Sequence, residues 1–245
     1  MTVTRIATAA VTMALFAAPA GHADDGIAGA TVFLDPGHSG RYDASMTRQV
    51  PTGRGGTKDC QASGTSTDAG FPEHTFTWDV VQQISSALKA QGVRVVLSRN
   101  DDASLGPCVD ERAAAANALK PDAIVSIHAD GAAADGHGFH VNYSAPPLFP
   151  SQEGPAMQLA TTMRDALAAS GMTPSTYIGS NGLYGRSDLS GLNLAQYPAI
   201  LVELGNMKNA SEAAQMTDPQ GQARYAAAVA GGITQYLAAH PHSNS

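Results

Sequence analysis

The sequence predicts a single α/β domain in which a mostly parallel, twisted β-sheet is flanked by helices. Short apolar runs rich in β-branched residues alternate along the chain with longer runs whose apolar residues recur at helical spacing. This alternation is typical of strand–helix–strand units, which build parallel sheets. The 245 residues are 43% hydrophobic and 14% charged, which fits one sizeable core and excludes a disordered or coiled-coil chain.

The first 23 residues predict a secretory signal peptide. Arg5 precedes an apolar run over residues 6–20, and small residues follow at 18–23. The run is too short for a comfortable membrane span, which disfavours the alternative of a membrane anchor. We therefore expect an exported protein, located in the periplasm, the cell wall or the medium, whose mature domain is 24–245 with a core of about 30–239.

The charge of this mature domain argues against nucleic acid as a partner. Residues 1–23 contain one arginine and no acid, so their removal changes the formal charge from −7 to −8. Phosphate backbones are bound through lysine and arginine, and the chain has no cluster of basic residues. We expect no stable membrane insertion, and the patterning demands no more than a monomer.

The two cysteines, Cys60 and Cys108, are predicted to form a disulfide. Export places them in an oxidising compartment, where such a bond is the default. The alternatives are a thiolate nucleophile or a metal ligand, but neither cysteine stands in a CxxC spacing.

A buried strand is predicted over residues 31–34, and the turn Asp35-Pro36-Gly37 ends it because proline has no N–H to donate. His38 then lies just past the carboxyl end of the strand. In parallel α/β sheets this is the edge where ligands and catalytic groups collect. Residues 39–72 form a long polar segment, which in a compact domain is functional or partly disordered.

An amphipathic helix follows over residues 76–90, and Glu73 lies near its start because Pro72 suits a first helical turn. The later elements are predicted from the same periodicities. They are strands at 93–98, 123–127, 138–143 (nearer an edge) and 199–202, helices at 110–119, 152–169 and 220–239, an irregular stretch at 171–198, and a frayed tail to residue 245.

Three predicted strands end in polar residues of catalytic type, namely His38, His128 and Glu203. If the strands are parallel, all three lie at one edge of the sheet, and Glu73 reaches the same edge from the start of its helix. Two histidines and a carboxylate suffice for a catalytic zinc with one open position, and a further carboxylate can act as general base. The alternative is that strand ends carry satisfied polar residues by chance.

Other hydrolase and cofactor motifs are missing from the sequence. There is no GxSxG elbow, since the segment at 185–189 lacks the second glycine, and there is no HExxH. Gly136-His137-Gly138 precedes a strand rather than a helix, so it is not a dinucleotide fingerprint.

Four blocks, in this order along the chain, resemble the zinc-dependent N-acetylmuramoyl-L-alanine amidases of bacterial cell-wall remodelling, particularly the single-domain mycobacterial type. The resemblance covers nearly the whole mature chain. The blocks are Leu34-Asp35-Pro36-Gly37-His38, Glu73 at a helix start, Ser126-Ile127-His128-Ala129-Asp130, and Val202-Glu203-Leu204-Gly205-Asn206.

The resemblance implies that His38, Glu73 and His128 bind one zinc ion (Zn2+) and that Glu203 is the catalytic carboxylate. It implies hydrolysis of the bond between N-acetylmuramic acid and L-alanine, with peptidoglycan or muropeptide fragments as the partner. Two alternatives stay open at this point: another zinc amidohydrolase or peptidase acting on cell-wall peptides, and a non-catalytic peptidoglycan-binding relative.

The chain departs from the commonest family pattern in its long segment 39–72. Some relatives carry an extra helix that blocks the zinc until a partner protein removes it. Residues 39–72 show no amphipathic pattern for such a helix, whereas residues 144–198 do not exclude one. An activating partner is therefore not identified.

Several polar residues allow two interpretations of their role. Asp35 and Asp130 either accept hydrogen bonds from the ligand imidazoles or stabilise turns, and Asn206 either shapes the site or is structural. His137 and His140 either touch substrate or occupy surface and edge-strand positions. The remaining polar residues are predicted to stay outside the metal site: His74 because successive helical positions point apart, and Arg99 and Arg112 as structural ion pairs.

Overall fold

The computed structural model describes residues 26–241, so the predicted signal peptide and the end of the predicted frayed tail lie outside the described residues. The strands are β1 (Thr31–Pro36), β2 (Gln49–Pro51), β3 (Thr57–Asp59), β4 (Arg94–Leu97), β5 (Ala123–Asp130), β6 (His140–Ser144), β7 (Leu183–Arg186) and β8 (Ala199–Asn206). The helices are α1 (Glu73–Lys89), α2 (Val109–Leu119), α3 (Pro150–Glu153), α4 (Pro155–Ala169), α5 (Ser190–Leu194), α6 (Ala210–Thr217) and α7 (Pro219–Ala239), with a 3₁₀ turn at Ala44–Thr47.

Six strands form one sheet in the order β4-β1-β5-β8-β6-β7. The first four are mutually parallel, β6 is antiparallel to β8, and β7 is parallel to β6. The predicted α/β class with a mostly parallel sheet is therefore confirmed. The prediction of an irregular stretch at 171–198 is wrong, because it contains β7 and α5, two elements too short to show a periodicity.

The carboxyl ends of three strands extend beyond their predicted limits. β1 includes Pro36, which pairs with Ile127. Pro36 has no N–H, but the sheet loses no hydrogen bond. An N–H at this position would point toward β4, and the pairing of β1 with β4 already ends at Leu97. β5 and β8 also continue, so that His128 and Glu203 are direct partners inside the paired strands rather than beyond them.

Helices α1, α4 and α7 pack together on one face of the sheet and build the main core. α1 begins at Glu73 instead of residue 76, because Pro72 is extended (ψ 150°) and stands at its N-cap. Its buried face carries Phe76, Val80, Val81, Ile84 and Leu88, each contributing about 1.5–3 kcal/mol through burial. None of the helices within residues 26–241 is long and apolar enough to cross a membrane.

The opposite face of the sheet is covered more thinly by α2 and α5. Its smaller core includes Phe33, Ile124 and Leu192, and α2 contributes the short side chain of Ala116. A cavity remains between α2 and the strands, and the short side chains of Ala113 and Ala116 form part of its lining.

Residues 39–72 contain the short hairpin β2–β3 instead of an unstructured loop. The predicted disulfide joins Cys60, directly after β3, to Cys108 at the start of α2. On the other side, the Arg54 guanidinium donates to Asn193 Oδ1 at 3.1 Å and Ser144 Oγ at 3.0 Å. The hairpin is thus held at both ends and forms one wall of the cavity.

Removing the disulfide should destabilise the fold. The cysteines are 48 positions apart, and loop-closure entropy predicts about 4 kcal/mol of lost unfolding free energy for the double replacement Cys60→Ser/Cys108→Ser. For a domain of this size that corresponds to roughly 10 °C in Tm. Calorimetry of both proteins with and without reductant measures it: reductant should lower the wild-type Tm and leave the variant unchanged. Equal stability of the two oxidised proteins would contradict the prediction.

Candidate metal centre

His38 and His128 are brought together by a glycine between them. The ring of His128 lies against Gly37, where a Cβ atom would stand only 2.4–2.7 Å from three atoms of that ring. The following residue, His38, has a left-handed backbone (φ 62°), a conformation that is strained for a non-glycine residue. The turn after β1 therefore directs the His38 side chain toward β5, whose residue His128 faces it.

Three side chains from three elements converge at the end of the sheet. The distances are 3.0 Å from His38 Nε2 to Glu73 Oε1, 3.0 Å from His128 Nδ1 to Glu73 Oε1, and 3.1 Å between the two histidine nitrogens. Donor atoms of a tetrahedral zinc site stand roughly 3.3 Å apart, given zinc–ligand bonds of about 2.0–2.1 Å. The donor set and its spacing fit a small divalent cation of this kind.

Backbone groups hold the side chains of this cluster in place. The Ala62 carbonyl lies 2.9 Å from His38 Nδ1, the Thr65 N–H donates to Glu73 Oε2 at 2.9 Å, and the Ala129 N–H donates to Glu73 Oε1 at 3.1 Å. Such outer contacts orient metal ligands and select the histidine tautomer. Sequence reasoning missed them because any residue type supplies a main-chain N–H or carbonyl.

Charge pairing dominates the protonation of this cluster. Burial alone would raise the pKa of Glu73, but the neighbouring His38 and His128 outweigh it and hold that pKa well below its usual range. Burial opposes protonation of His38, yet the Glu73 carboxylate raises the pKa of His38 above its ordinary value. Glu73 is therefore an anion, as a metal ligand must be.

Glu203 lies beside the cluster in a different electrostatic environment. It is the strand partner of His128, and its Oε2 atom is buried without a hydrogen-bond partner in the described part of the chain. Burial, followed by the negative charges of Glu73 and Asp130, raises the pKa of Glu203 well above its ordinary value, while Arg186 opposes the shift.

The residues predicted as orienting groups bond elsewhere. Asp35 accepts from Arg112 at 2.7 Å, from Ser126 at 2.6 Å and from Ser98 at 2.5 Å. Burial favours the neutral acid, but Arg112 and the two hydroxyls hold the pKa of Asp35 well below its usual range. Asp35 thereby anchors β1 to β5 and α2.

Asp130 and Asn206 shape the loop that leaves β5. Asp130 accepts from the Gly131 N–H at 2.7 Å and from the Tyr177 hydroxyl at 3.2 Å. Asn206 is fully buried and donates to the carbonyls of Ala133 and Gly136, each at 2.8 Å. Its contacts fix the path of residues 131–137 alongside the site.

Two buried arginines clamp the segments that carry the clustered side chains. Arg99 donates to the Pro36 carbonyl at 3.0 Å and to the His74 carbonyl at 2.7 Å, which ties the turn after β1 to the start of α1. Arg112 donates to the His38 carbonyl at 2.8 Å. Both also form the predicted ion pairs, Arg99 with Asp102 at 2.9 Å and Arg112 with Asp35 at 2.7 Å.

The other histidines differ in their placement. His74 points away from the cluster, with its Nδ1 2.8 Å from Asp102, and His137 is exposed. His140 is neither a surface nor an edge residue: it is 1% exposed and pairs with Glu203 across β6 and β8. Burial lowers the pKa of His140 to about 4, so its imidazole is neutral near pH 7. The prediction missed this because β7, unrecognised in the sequence, covers β6.

The cluster opens into a cavity of about 490 Å³. Glu203 and the three clustered side chains line one part of it, and apolar residues under α2, such as Phe33 and Ala116, line another. Lys58 and Asp59 of β3 contribute to its wall. A ligand that reaches the cluster therefore contacts the hairpin as well as the sheet.

Comparisons with known proteins agree with this geometry. Residues 32–235 match the family model described as N-acetylmuramoyl-L-alanine amidase. The chain is 64% identical over 212 residues to the N-acetylmuramoyl-L-alanine amidase Rv3717 of Mycobacterium tuberculosis, covering 86% of this chain and 88% of that one.

Two crystal structures show the same fold. The N-acetylmuramyl-L-alanine amidase Ami1 of Mycobacterium smegmatis superposes with a TM-score of 0.87 and 61% identity, covering 87% of this chain and 99% of its own. The apo form of Ami1 from Mycobacterium abscessus gives 0.85 and 61%, covering 86% and 100%.

Replacing Glu203 should stabilise the metal-free protein in a pH-dependent way. A carboxyl whose folded-state pKa is raised costs nothing below its unfolded value of 4.5, and it destabilises the fold increasingly as pH rises through the folded-state pKa. Glu203→Gln should thus have the same Tm as the wild type near pH 4.5. At neutral pH its unfolding free energy should exceed that of the wild type by at least about 1 kcal/mol, which raises its Tm by roughly 2–4 °C.

Thermal unfolding of chelator-treated protein between these pH values measures the effect. Glu153→Gln, which removes an exposed carboxylate of α3, is the matched control and should not change Tm with pH relative to the wild type. A Glu203→Gln difference that stays constant with pH would contradict the assigned shift.

Proposed function

The chain belongs to the N-acetylmuramoyl-L-alanine amidase family, and from this membership we propose that His38, Glu73 and His128 hold one zinc ion with which the protein cuts peptidoglycan. The reaction is hydrolysis of the amide bond between the lactyl carbonyl of N-acetylmuramic acid and the amine of L-alanine. The observation that supports it best is the convergence of three donor atoms within 3.0–3.1 Å beside an unpartnered carboxylate oxygen.

Zinc at this site would polarise the amide carbonyl and lower the pKa of its bound water to about 7. The chain itself supplies two imidazoles and one carboxylate, which leave a fourth position for water or substrate. The main-chain contacts from Ala62 and Thr65 keep His38 and Glu73 oriented for this task. Glu73 is anionic before any metal binds, so no proton has to leave it.

Glu203 is the general base and acid in this proposal. Its Oε2 has no protein partner among the described residues, so it is free to take a proton from the attacking water. As the C–N bond breaks, Glu203 returns that proton to the departing amine of L-alanine. The lactyl group is released as a carboxylic acid, whose own proton then passes to the amine or to water to leave a carboxylate. Burial and the neighbouring negative charges raise the pKa of Glu203, which makes its carboxylate a stronger base toward the attacking water.

Export agrees with the substrate and with the disulfide. Peptidoglycan lies outside the cytoplasmic membrane, and a bond such as Cys60–Cys108 persists in oxidising compartments. Residues 1–23 carry the signal-peptide pattern and would direct the chain there. The mature protein acts in this proposal as a secreted monomer on the wall or on its fragments.

Digestion of purified peptidoglycan tests the function. The secreted protein should contain about one zinc per chain and release stem peptides whose new N-terminus is L-alanine, as read by mass spectrometry. Glu203→Gln should keep the zinc and lose at least about 100-fold in rate, because general acid–base catalysis contributes about 10²–10⁴-fold. New reducing sugar ends, or cuts inside the stem peptide, would contradict the proposal; loss of zinc in Glu203→Gln would make Glu203 a ligand.

The metal site should be sensitive to a methyl group at Gly64. A Cβ there would lie 2.9 Å from two ring atoms of His38 and 3.0 Å from Glu73 Oε2, and the residue has φ +79°. Gly64→Ala should weaken zinc affinity by roughly 10–100-fold, the usual cost of disturbing groups that orient ligands.

Gly55→Ala is the matched control, since Gly55 has a similar φ of +84° and a methyl group there would have nothing within 4 Å. It carries the same backbone strain of about 1 kcal/mol and should keep wild-type zinc affinity. Competition titration with a zinc chelator measures both, and equal affinity of the two variants would contradict the assigned role of residues 62–65.

A further inference from the structure

The two faces of the β2–β3 hairpin differ in what they contact. Gln49 pairs with Asp59 on one face, where both are exposed and hydrogen-bonded to each other, and Asp59 also contributes to the cavity wall. Val50 pairs with Lys58, and directly opposite residues of an antiparallel pair share one face. Val50 is 1% exposed and packs against the disulfide, so Lys58 lies on the inner face, toward the cavity.

The ammonium group of Lys58 has no carboxylate partner among residues 26–241. It donates to the main-chain carbonyl of Asp188 at 3.2 Å, whereas the Asp188 carboxylate accepts two hydrogen bonds of 2.7 Å from Arg186. The other cation in the cavity lining is Arg112, which is buried and paired with Asp35. Lys58 is therefore the one lysine or arginine of this lining, within the described residues, that forms no salt bridge, although its charge helps to lower the pKa of the nearby Asp188.

A mere anchoring role does not account for Lys58. The hairpin is held by the Cys60–Cys108 bond at one end and by Arg54, through Asn193 and Ser144, at the other. A single hydrogen bond from a flexible lysine adds little to these two attachments. Lys58 also lines the cavity that contains Glu203 and the metal cluster, so a ligand at the cluster occupies the same cavity.

We propose that Lys58 is a specificity residue that binds a free carboxylate of the stem peptide while the scissile amide lies at the metal centre. This rests on the proposed amidase function. Carboxylates already crowd the cavity lining, namely Asp35, Asp59, Glu73, Asp130 and Glu203. An anionic substrate therefore needs a compensating cation, and a stem peptide whose carboxylate is amidated does not.

The test uses two synthetic muropeptides that differ only in whether the carboxylate of the second stem residue is free or amidated. The readout is the ratio of kcat/KM for the free acid to kcat/KM for the amide, with the zinc-loaded chain. Lys58→Gln should lower this ratio about 10-fold, mainly through KM, and Lys58→Arg should restore most of it. Raised salt should lower the wild-type ratio, since a partly exposed ion pair is screened.

Lys89→Gln is the matched control, because it removes the same charge from an exposed position at the far end of α1, roughly 24 Å along the helix from Glu73. Its ratio should equal that of the wild type. If Lys58→Gln slows both substrates equally, or leaves the ratio unchanged, the Lys58 inference is wrong while the amidase function stands. If the wild type cuts neither muropeptide nor polymer, the function itself is wrong and the inference with it.

Discussion

The buried carboxylate of Glu73 is the constraint on which the rest of this structure depends. It is 4% exposed, and an isolated charge at that depth would be strongly unfavourable. The protein compensates with two main-chain N–H groups, from Thr65 and Ala129, and with the imidazoles of His38 and His128. These partners come from separate parts of the chain, so Glu73 is satisfied only when β1, β5, α1 and the segment after the hairpin are packed together.

That requirement explains why so many polar groups hold a short stretch of backbone. Residues 62–65 bring a carbonyl and an N–H to the cluster but contribute no side chain to the main core. Their position depends on Cys60, immediately before them, which is bonded to α2. Arg99 and Arg112 hold the turn that carries His38 by donating to the main-chain carbonyls of Pro36 and His38. The polar segment 39–72 is thus part of the site's support.

The sequence predicted the elements whose apolar residues repeat at a regular spacing and the polar residues that follow directly after them. Apolar runs followed by His38, His128 and Glu203 predicted both the parallel sheet and the edge where these residues meet, and the family resemblance added their roles. It did not predict contacts made by main-chain atoms, such as those of Ala62, because these carry no residue-type signal. The predicted surface or edge-strand position of His140 was wrong, because β7 covers β6. β7 itself was not recognised, since four residues are too few to show a period.

Glu73 and Glu203 show that the local environment, more than the residue type, sets the pKa and therefore the role of each carboxyl group. Burial favours the neutral acid in both Glu73 and Glu203. Glu73 faces two imidazoles and stays ionised, whereas Glu203 faces the negative charges of Glu73 and Asp130, which raise its pKa further. The negative charge that suits Glu73 to be a metal ligand therefore also raises the pKa of Glu203. Because His128 and Glu203 are direct partners on adjacent strands, the register of β5 and β8 sets this coupling, and a shift of either strand would remove both roles at once.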